Sequence, residues 1–305
     1  MPKDLRELPK LRDGLSYLYA ERVRILQDAQ AIALWDEDGR TPVPVAALGV
    51  LMLGPGSSIT HAAVRALVEN GCSIVWLGEH GVRCYAQGTG ETRSARHILH
   101  QAQLLCDEAT RIQVVWRMYE YRFGYRLDDD LTLNQIRGME GARMRDTYAE
   151  EARRTGVDWQ GRNYDRSHWN RSDPLNRALS AANACLNGVC HAAIVSGGYS
   201  PAMGFIHTGR QLSFVYDIAD LYKAEITIPL AFETVAECDK KVEARVRQRC
   251  RDHFRKHRLL QRLLPDIDAL LDIETETDVG AEASDPTGEF GLHLWRKLWE
   301  DVKRR

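Results

Sequence analysis

Three short stretches place acids or a histidine where a fold alone does not ask for them. In Gly138-Met139-Glu140-Gly141, two glycines flank a glutamate inside a segment that otherwise reads as strong helix. A helix-interior glycine costs ~1 kcal/mol relative to alanine, so the pair implies close backbone approach or a kink, with room needed near Glu140. In Phe205-Ile206-His207-Thr208-Gly209 a histidine follows an apolar pair and precedes a turn glycine. In Tyr216-Asp217-Ile218-Ala219-Asp220 two aspartates three apart share one helix face, and they repel unless a cation or basic group lies between them. Each stretch also admits an ordinary explanation: a surface glutamate on a closely packed helix, a core or surface histidine, and aspartates in water or paired with Arg210 or Lys223.

Taken together, a Glu, a His and an Asp form the mainly oxygen donor set that suits Mg²⁺ or Mn²⁺, and the imidazole tilts the choice toward Mn²⁺. A hard divalent ion on carboxylates, beside a basic surface, is the equipment of phosphoryl transfer. It holds a non-bridging phosphate oxygen, favours in-line attack by a hydroxyl and stabilises charge on the leaving oxygen. Residue types alone stop there, without a substrate.

The elements that must position these groups fall into two kinds. From Leu15 to about Ala86 the signals are those of strands: Val23 and Ile25 alternate with arginines, Ala31 to Trp35 is apolar, Asp38-Gly39 is a hairpin dipeptide, and Ser73–Leu77 and Val82–Ala86 flank a glycine-bounded turn. Thr60 to Asn70 reads as a single helix with Thr60 as N-cap. Past the polar stretch from Gln87 to Ser94, helical spacing predicts helices over Arg96–Phe123, Leu133–Arg154 ended by Gly156, Asp173-Pro174 to Ser196, and Phe214–Ile226 broken at Pro229, then two or three basic helices to Leu271. The expected fold is α+β: a mainly β domain over residues 1–88, a linker at 89–95, a helical catalytic domain over 96–272, and an acidic tail over 273–305. In that tail Leu292, Trp295, Leu298, Trp299 and Val302 line one face of a short helix.

Composition narrows the partners. Nine acids and no Lys or Arg lie between Asp266 and Glu289, so without that segment a net charge of −2 becomes about +7. Lys240 to Arg262 carries ten Lys or Arg against two acids. A basic body suits a polyanion, although charge runs are also ordinary solvated helix faces. The longest apolar run, Val43 to Leu53, falls well short of the roughly 20 residues of a membrane span, and the charged N-terminus has no leader pattern, so a cytoplasmic protein is expected. Seven cysteines without a CxxC pair read as reduced, buried residues.

RGMEGARMRDTYA around Glu140, GFIHTGRQLSFVYDIADLYK around His207, and PGSSITHAAVRALVENGCSIVWLGEHGVRCYA resemble the metal-dependent integrase of CRISPR adaptation, in its type I-E branch, over about Leu15 to Leu271. The resemblance implies an N-terminal β domain that dimerises, a helical catalytic domain, and a heterohexamer of two dimers with a dimer of a small ferredoxin-like partner. It implies capture of short foreign DNA with 3′ single-stranded ends and its insertion beside the leader of a CRISPR array. The chemistry is transesterification, a 3′-hydroxyl of the incoming DNA attacking a phosphodiester of the repeat.

By motif match Glu140, His207 and Asp220 become metal ligands, one ion being expected, and Asp217 an accessory acid of the same catalytic site. Arg83, Arg210, Lys223, Arg247 and Arg251 match phosphate-holding positions. Tyr164 and Tyr216 match aromatic positions at the DNA end, and Tyr19 a wedge that splays the duplex. Asn187 stands where relatives have a tyrosine, and Ser58 where they have an arginine, which alters the expected reading of the DNA end and removes one phosphate contact. Two other readings stay open: a general metal-dependent nuclease on branched or single-stranded DNA, and a non-catalytic DNA-binding scaffold.

Overall fold

In the computed structural model the described residues are 17–29, 31–78, 84–88, 95–162 and 173–272. Arg83, Tyr164, most of the 89–95 linker and the 273–305 tail lie outside them. The chain divides into two compact units, Met1–Leu271 and Asp272–Arg305, and the described sheets and helices belong to the first.

The β-branched and aliphatic runs of the N-terminal region make two four-stranded sheets. One has the order β1 (Tyr17–Ala20), β5 (Val50–Leu53), β7 (Ser73–Leu77), β8 (Cys84–Gly88). The other has the order β4 (Gly39–Pro44), β3 (Ala31–Asp36), β2 (Arg24–Asp28), β6 (Ser58–Ile59). β5 lies parallel between β1 and β7 and all four of its residues are buried, which is why Val50–Leu53 reads as an unbroken apolar run and not as an alternation. The hairpin between β3 and β4 pairs Asp36 with Gly39, so its turn is Glu37-Asp38, one residue earlier than the Asp38-Gly39 dipeptide predicts, with the Asp38 amide donating to Asp36 Oδ1 at 3.0 Å. Helix α1 (His61–Glu69) starts on Thr60, whose Oγ1 accepts from the Ala63 amide, and it packs Ala63 and Leu67 into a core with Ile25, Ile32, Leu51 and Ile74.

The C-terminal region is helical: α2 (Arg96–Cys106), α3 (Glu108–Phe123), α4 (Leu133–Thr155), α5 (Pro174–Ser196), α6 (Ser213–Asp220), a π-helical segment Lys223–Thr227, α7 (Ile228–Glu237), α8 (Val242–Lys256) and α9 (Leu259–Leu270). The single helix expected over Arg96–Phe123 is two, because Asp107 is extended and its carboxylate caps the Thr110 amide, starting α3 anew. Pro229 does not break a helix but sits in the first turn of α7, where its missing N–H costs nothing.

Asp173-Pro174 begins α5 as the sequence predicts, the Asp173 carboxylate accepting from the Asn176 amide at 2.9 Å. α5 is long and apolar enough to cross a membrane by length and composition, a possibility the Val43–Leu53 run did not raise. Its sides are mostly buried within the protein instead, where its alanines, Gly188 and cysteines let α6, α7, α8 and α9 close around it. All seven cysteines are free, but Cys106 and Cys238 are exposed, so only part of the set matches the expected buried thiols. The acidic stretch from Asp266 is not all tail either. Asp266, on α9, accepts from the Tyr121 and Tyr222 hydroxyls at 2.7 and 2.5 Å, and Asp268 accepts from Tyr199 at 2.5 Å.

Candidate active site

Four elements meet at one point. α3 carries Arg122 in its last turn, one residue past Tyr121, whose hydrogen bond to Asp266 ties that end of the helix to α9. α4 runs behind a capping box, Thr132 with Gln135, to a left-handed Gly156, and carries Glu140 in its first half. The loop from α5 to α6 presents His207, and α6 carries Asp217 and Asp220. Tyr222, whose phenol is pushed far above its ordinary pKa by burial and by the Asp266 charge, stays a donor to that carboxylate and holds the chain just before Lys223.

Asp217 is completely buried. Its Oδ2 accepts from the Phe205 and Ile206 amides at 2.6 and 3.1 Å, and its Oδ1 accepts from the His207 amide at 2.9 Å and lies 2.7 Å from His207 Nδ1. Both oxygens are therefore spent on the loop. The expected accessory acid fixes the loop backbone and holds the Nδ1 edge of the imidazole, leaving Nε2 turned toward Asp220, 3.9 Å from its Oδ2. The two aspartates share a helix and the His207 ring but differ in their other partners. Asp217 is met by amides and the imidazole, while Asp220 is met by Arg122 Nη2 at 3.5 Å and by Lys223. Glu140 receives Arg143 Nε and Nη2 at 2.8 and 3.0 Å, and Arg122 Nη1 stands 3.7 Å from its Oε1.

The structure thus brings Glu140 and Asp220 to the two arms of one guanidinium, with His207 beside Asp220. Arg122 and Arg143 were not singled out from sequence. The available signal was electrostatic: acids gathered in a partly buried place need cations, and α3 and α4 supply them at their facing surfaces. Among the described residues, no three His, Cys, Asp or Glu side chains are gathered closely enough to form a ready metal cage. The donor chemistry nonetheless fits a hard divalent ion: two carboxylates, and an imidazole oriented through its other nitrogen by a buried acid.

The glycines flanking Glu140 do not do what their sequence suggests. α4 is continuous from Leu133 to Thr155, a Cβ at Gly138 would meet nothing within 4 Å, and one at Gly141 would meet only Arg145 Nη1 at an ordinary 3.6 Å. Neither close approach nor a kink explains them among the described residues. Gly138→Ala is accordingly expected to raise the unfolding free energy by about 0.5–1 kcal/mol in urea titrations, the helix-propensity gain with no steric cost; a loss of stability would mean that the face is covered.

The DNA-contact positions are less uniform than the motif match implies. Arg210 and Arg251 are exposed, with Arg251 only 3.9 Å from Asp252. Tyr216 is half-buried, its ring 5.9 Å from that of His207 at 71°. Lys223 is turned onto Asp220, and Arg247 is half-buried with its Nε lacking a hydrogen-bond partner among the described residues. Much of the basic Lys240–Arg262 stretch is paired: Arg245 and Arg249 with Glu237, and Arg262 with Glu225. Tyr19, the wedge position, donates to Glu21 Oε2 at 2.8 Å. Asn187 is half-buried with an unpartnered Oδ1, and Ser58 lies in β6.

The sequence matches the family model for CRISPR associated protein Cas1 over residues 16–124 and 121–248. A CRISPR-associated endonuclease, Cas1 2 of Thermus thermophilus, is 53% identical over 293 residues, covering 95% of this chain and 90% of its own length. The CRISPR-associated endonuclease Cas1 of Geobacter sulfurreducens is 43% identical over 291 residues, covering 93% and 95%. Among solved structures, the crystal structure of a TtCas1–DNA complex aligns with a TM-score of 0.78 at 54% identity, over 87% of this chain and 99% of that one.

Proposed function

This chain belongs to the Cas1 family of CRISPR-associated proteins, and we propose that it works there as the integrase of CRISPR adaptation, of the type I-E kind its GFIHTG and YDIAD strings resemble. The observation that carries the reading is the meeting of Glu140 and Asp220 at Arg122 with His207 held beside them by Asp217. Glu140, Asp220 and His207 Nε2 are the groups that would hold Mg²⁺ or Mn²⁺, which when bound supplies Lewis-acid stabilisation of charge on phosphate oxygens.

The remaining work falls to the chain itself. A 3′-hydroxyl of the incoming DNA attacks a repeat phosphodiester, so one P–O bond forms as another breaks and the departing sugar oxygen leaves as a hydroxyl. Arg210 holds backbone phosphates at the mouth of the site, and Lys223 joins it by turning away from Asp220. Tyr216, packed against the His207 ring, offers a stacking face for an unpaired terminal base, worth ~1–3 kcal/mol. The open glycine-bounded face of α4 beside Glu140 leaves room for a strand to lie close to the carboxylate. Arg83, Arg247 and Arg251 are further proposed phosphate contacts, and Tyr164 is a second proposed stacking residue at the DNA end. The working unit is a homodimer, joined in a cytoplasmic heterohexamer to a small ferredoxin-like partner.

A second reading, a metal-dependent endonuclease with water as nucleophile, is favoured by the name its relatives carry. One strand-transfer assay separates them: the protein with its partner, a short duplex with 3′-hydroxyl ends, a supercoiled plasmid bearing leader and repeat, and Mg²⁺ or Mn²⁺, run beside His207→Ala. Joined product that falls at least about 100-fold in the variant, and vanishes with EDTA or blocked 3′ ends, is expected. Cutting without joining selects the nuclease, and joining that survives His207→Ala removes the histidine from the site.

A further inference from the structure

Both oxygens of Glu140 are engaged by one guanidinium in this structure. Arg143, one helical turn later on α4, takes Oε2 through Nε at 2.8 Å and Oε1 through Nη2 at 3.0 Å, the two-pronged geometry in which guanidinium binds carboxylate most strongly. Oε1 also faces Arg122 Nη1. A divalent ion approaching this carboxylate meets a guanidinium already bound to both oxygens, and the two cations repel, so the ion competes with Arg143 for the group.

The two arginines differ in how freely they can leave. Arg122 is 5% exposed, its guanidinium stands 5.3 Å from the Tyr119 ring centre, and it spans Glu140 and Asp220, so withdrawing it would break its contacts to two acids at once in a partly buried place. Arg143 is 25% exposed, and its other contacts are weak: the Met144 sulfur at 3.7 Å and the Phe123 ring centre at 5.7 Å. The Phe123 face gives it a place to rest once Glu140 has gone, at small cost.

We propose that Arg143 controls ion loading: in the metal-free protein it clamps Glu140 in a non-ligating position, and it swings off toward Phe123 when a divalent cation takes the carboxylate, while Arg122 stays to hold Glu140 and Asp220 in register. This rests on the reading of Glu140 as a ligand. Arg143 is thus a competitor of the ion and a positioning residue for Glu140, distinct from an ordinary i,i+3 surface pair because its partner is only 15% exposed and shares a second cation with Asp220. A surface pair stabilises a helix and has no bearing on metal affinity; a clamp lowers that affinity by its own strength.

The test is Mn²⁺ binding to the full-length protein without DNA, by titration calorimetry or by loss of the free-ion electron paramagnetic resonance signal, for wild type, Glu140→Ala, Arg143→Gln and Arg143→Lys. Arg143→Gln is expected to bind Mn²⁺ on the order of 10-fold more tightly than wild type, with Arg143→Lys in between because an ammonium holds one oxygen at a time. The advantage should shrink as salt rises and screens the clamp. Thermal melts of the metal-free variants confirm that all are folded. Equal or weaker binding by Arg143→Gln, with Glu140→Ala still defective, overturns the clamp alone. Binding unaffected by Glu140→Ala overturns the ligand assignment beneath it.

Discussion

Replacing Asp217 by alanine is expected to lower the unfolding free energy by about 3–5 kcal/mol and to abolish DNA joining, the largest single-residue effect in the helical region. The magnitude comes from what is left behind. Four donors, the amides of Phe205, Ile206 and His207 and the His207 ring, converge on a side chain with no exposure at all. Alanine leaves the amides without an acceptor in a place that water does not reach, and each orphaned group costs ~1–3 kcal/mol.

Asp217→Asn isolates the electrostatic part, because it keeps the volume but has only one oxygen where two are used. An amide NH₂ must then face two of the four donors, so stability should fall by about 2 kcal/mol, and the imidazole loses the partner that orients it. Urea unfolding followed by circular dichroism, alongside the strand-transfer assay, reads both consequences. If Asp217→Asn joins DNA at the wild-type rate while Asp217→Ala unfolds, the acid serves the fold only and the orientation of His207 does not depend on it.

How much of this was legible beforehand depended on whether the determining contact is local. α1, α4 and α5 begin and end where Thr60, Gly156 and Asp173-Pro174 place them, because a cap is a contact between residues two to four apart. The split at Asp107 was missed because the apolar spacing carries through it, and the only sign was an aspartate three before a threonine. The π-helical segment after α6 has no local signature and is set by what surrounds it, including Thr227 on Asn183 and Tyr222 on Asp266.

The site was legible as residue types and not as an arrangement. Glu140, His207 and the two aspartates were found as acids and a histidine out of place, but their spacing could not show that Asp217 is taken up by the Phe205–His207 loop, nor that Arg122 stands between two acids about 80 residues apart in the chain. The glycines around Glu140 misled for a related reason. Sequence shows that a Cβ is missing, but only the fold shows whether anything fills its place.

Gly204 is the converse case, unremarkable in sequence and tightly confined in the fold. A Cβ there would collide with the carbonyl oxygen of His207 and lie 2.7 and 2.8 Å from the carbonyl carbon and Cβ of Ser213. The carbonyls are backbone atoms that no rotamer change can move aside, so the loop must shift bodily. That loop is held by the three amides on Asp217, one residue away, and Gly204→Ala is expected to cost about 2–3 kcal/mol of stability, in the range of other overpacking substitutions.

The effect on joining should be larger than the effect on folding. A displacement near 1 Å in a group that must sit at a reacting phosphate costs about 100-fold in rate, and the collision is with the backbone of His207 itself. Gly204→Ala should therefore stay folded at 25 °C by circular dichroism while its strand transfer falls about 100-fold. Wild-type joining by Gly204→Ala would show that the loop has slack, and with it that the His207 position is not the tightly set feature its hydrogen bonds to Asp217 imply.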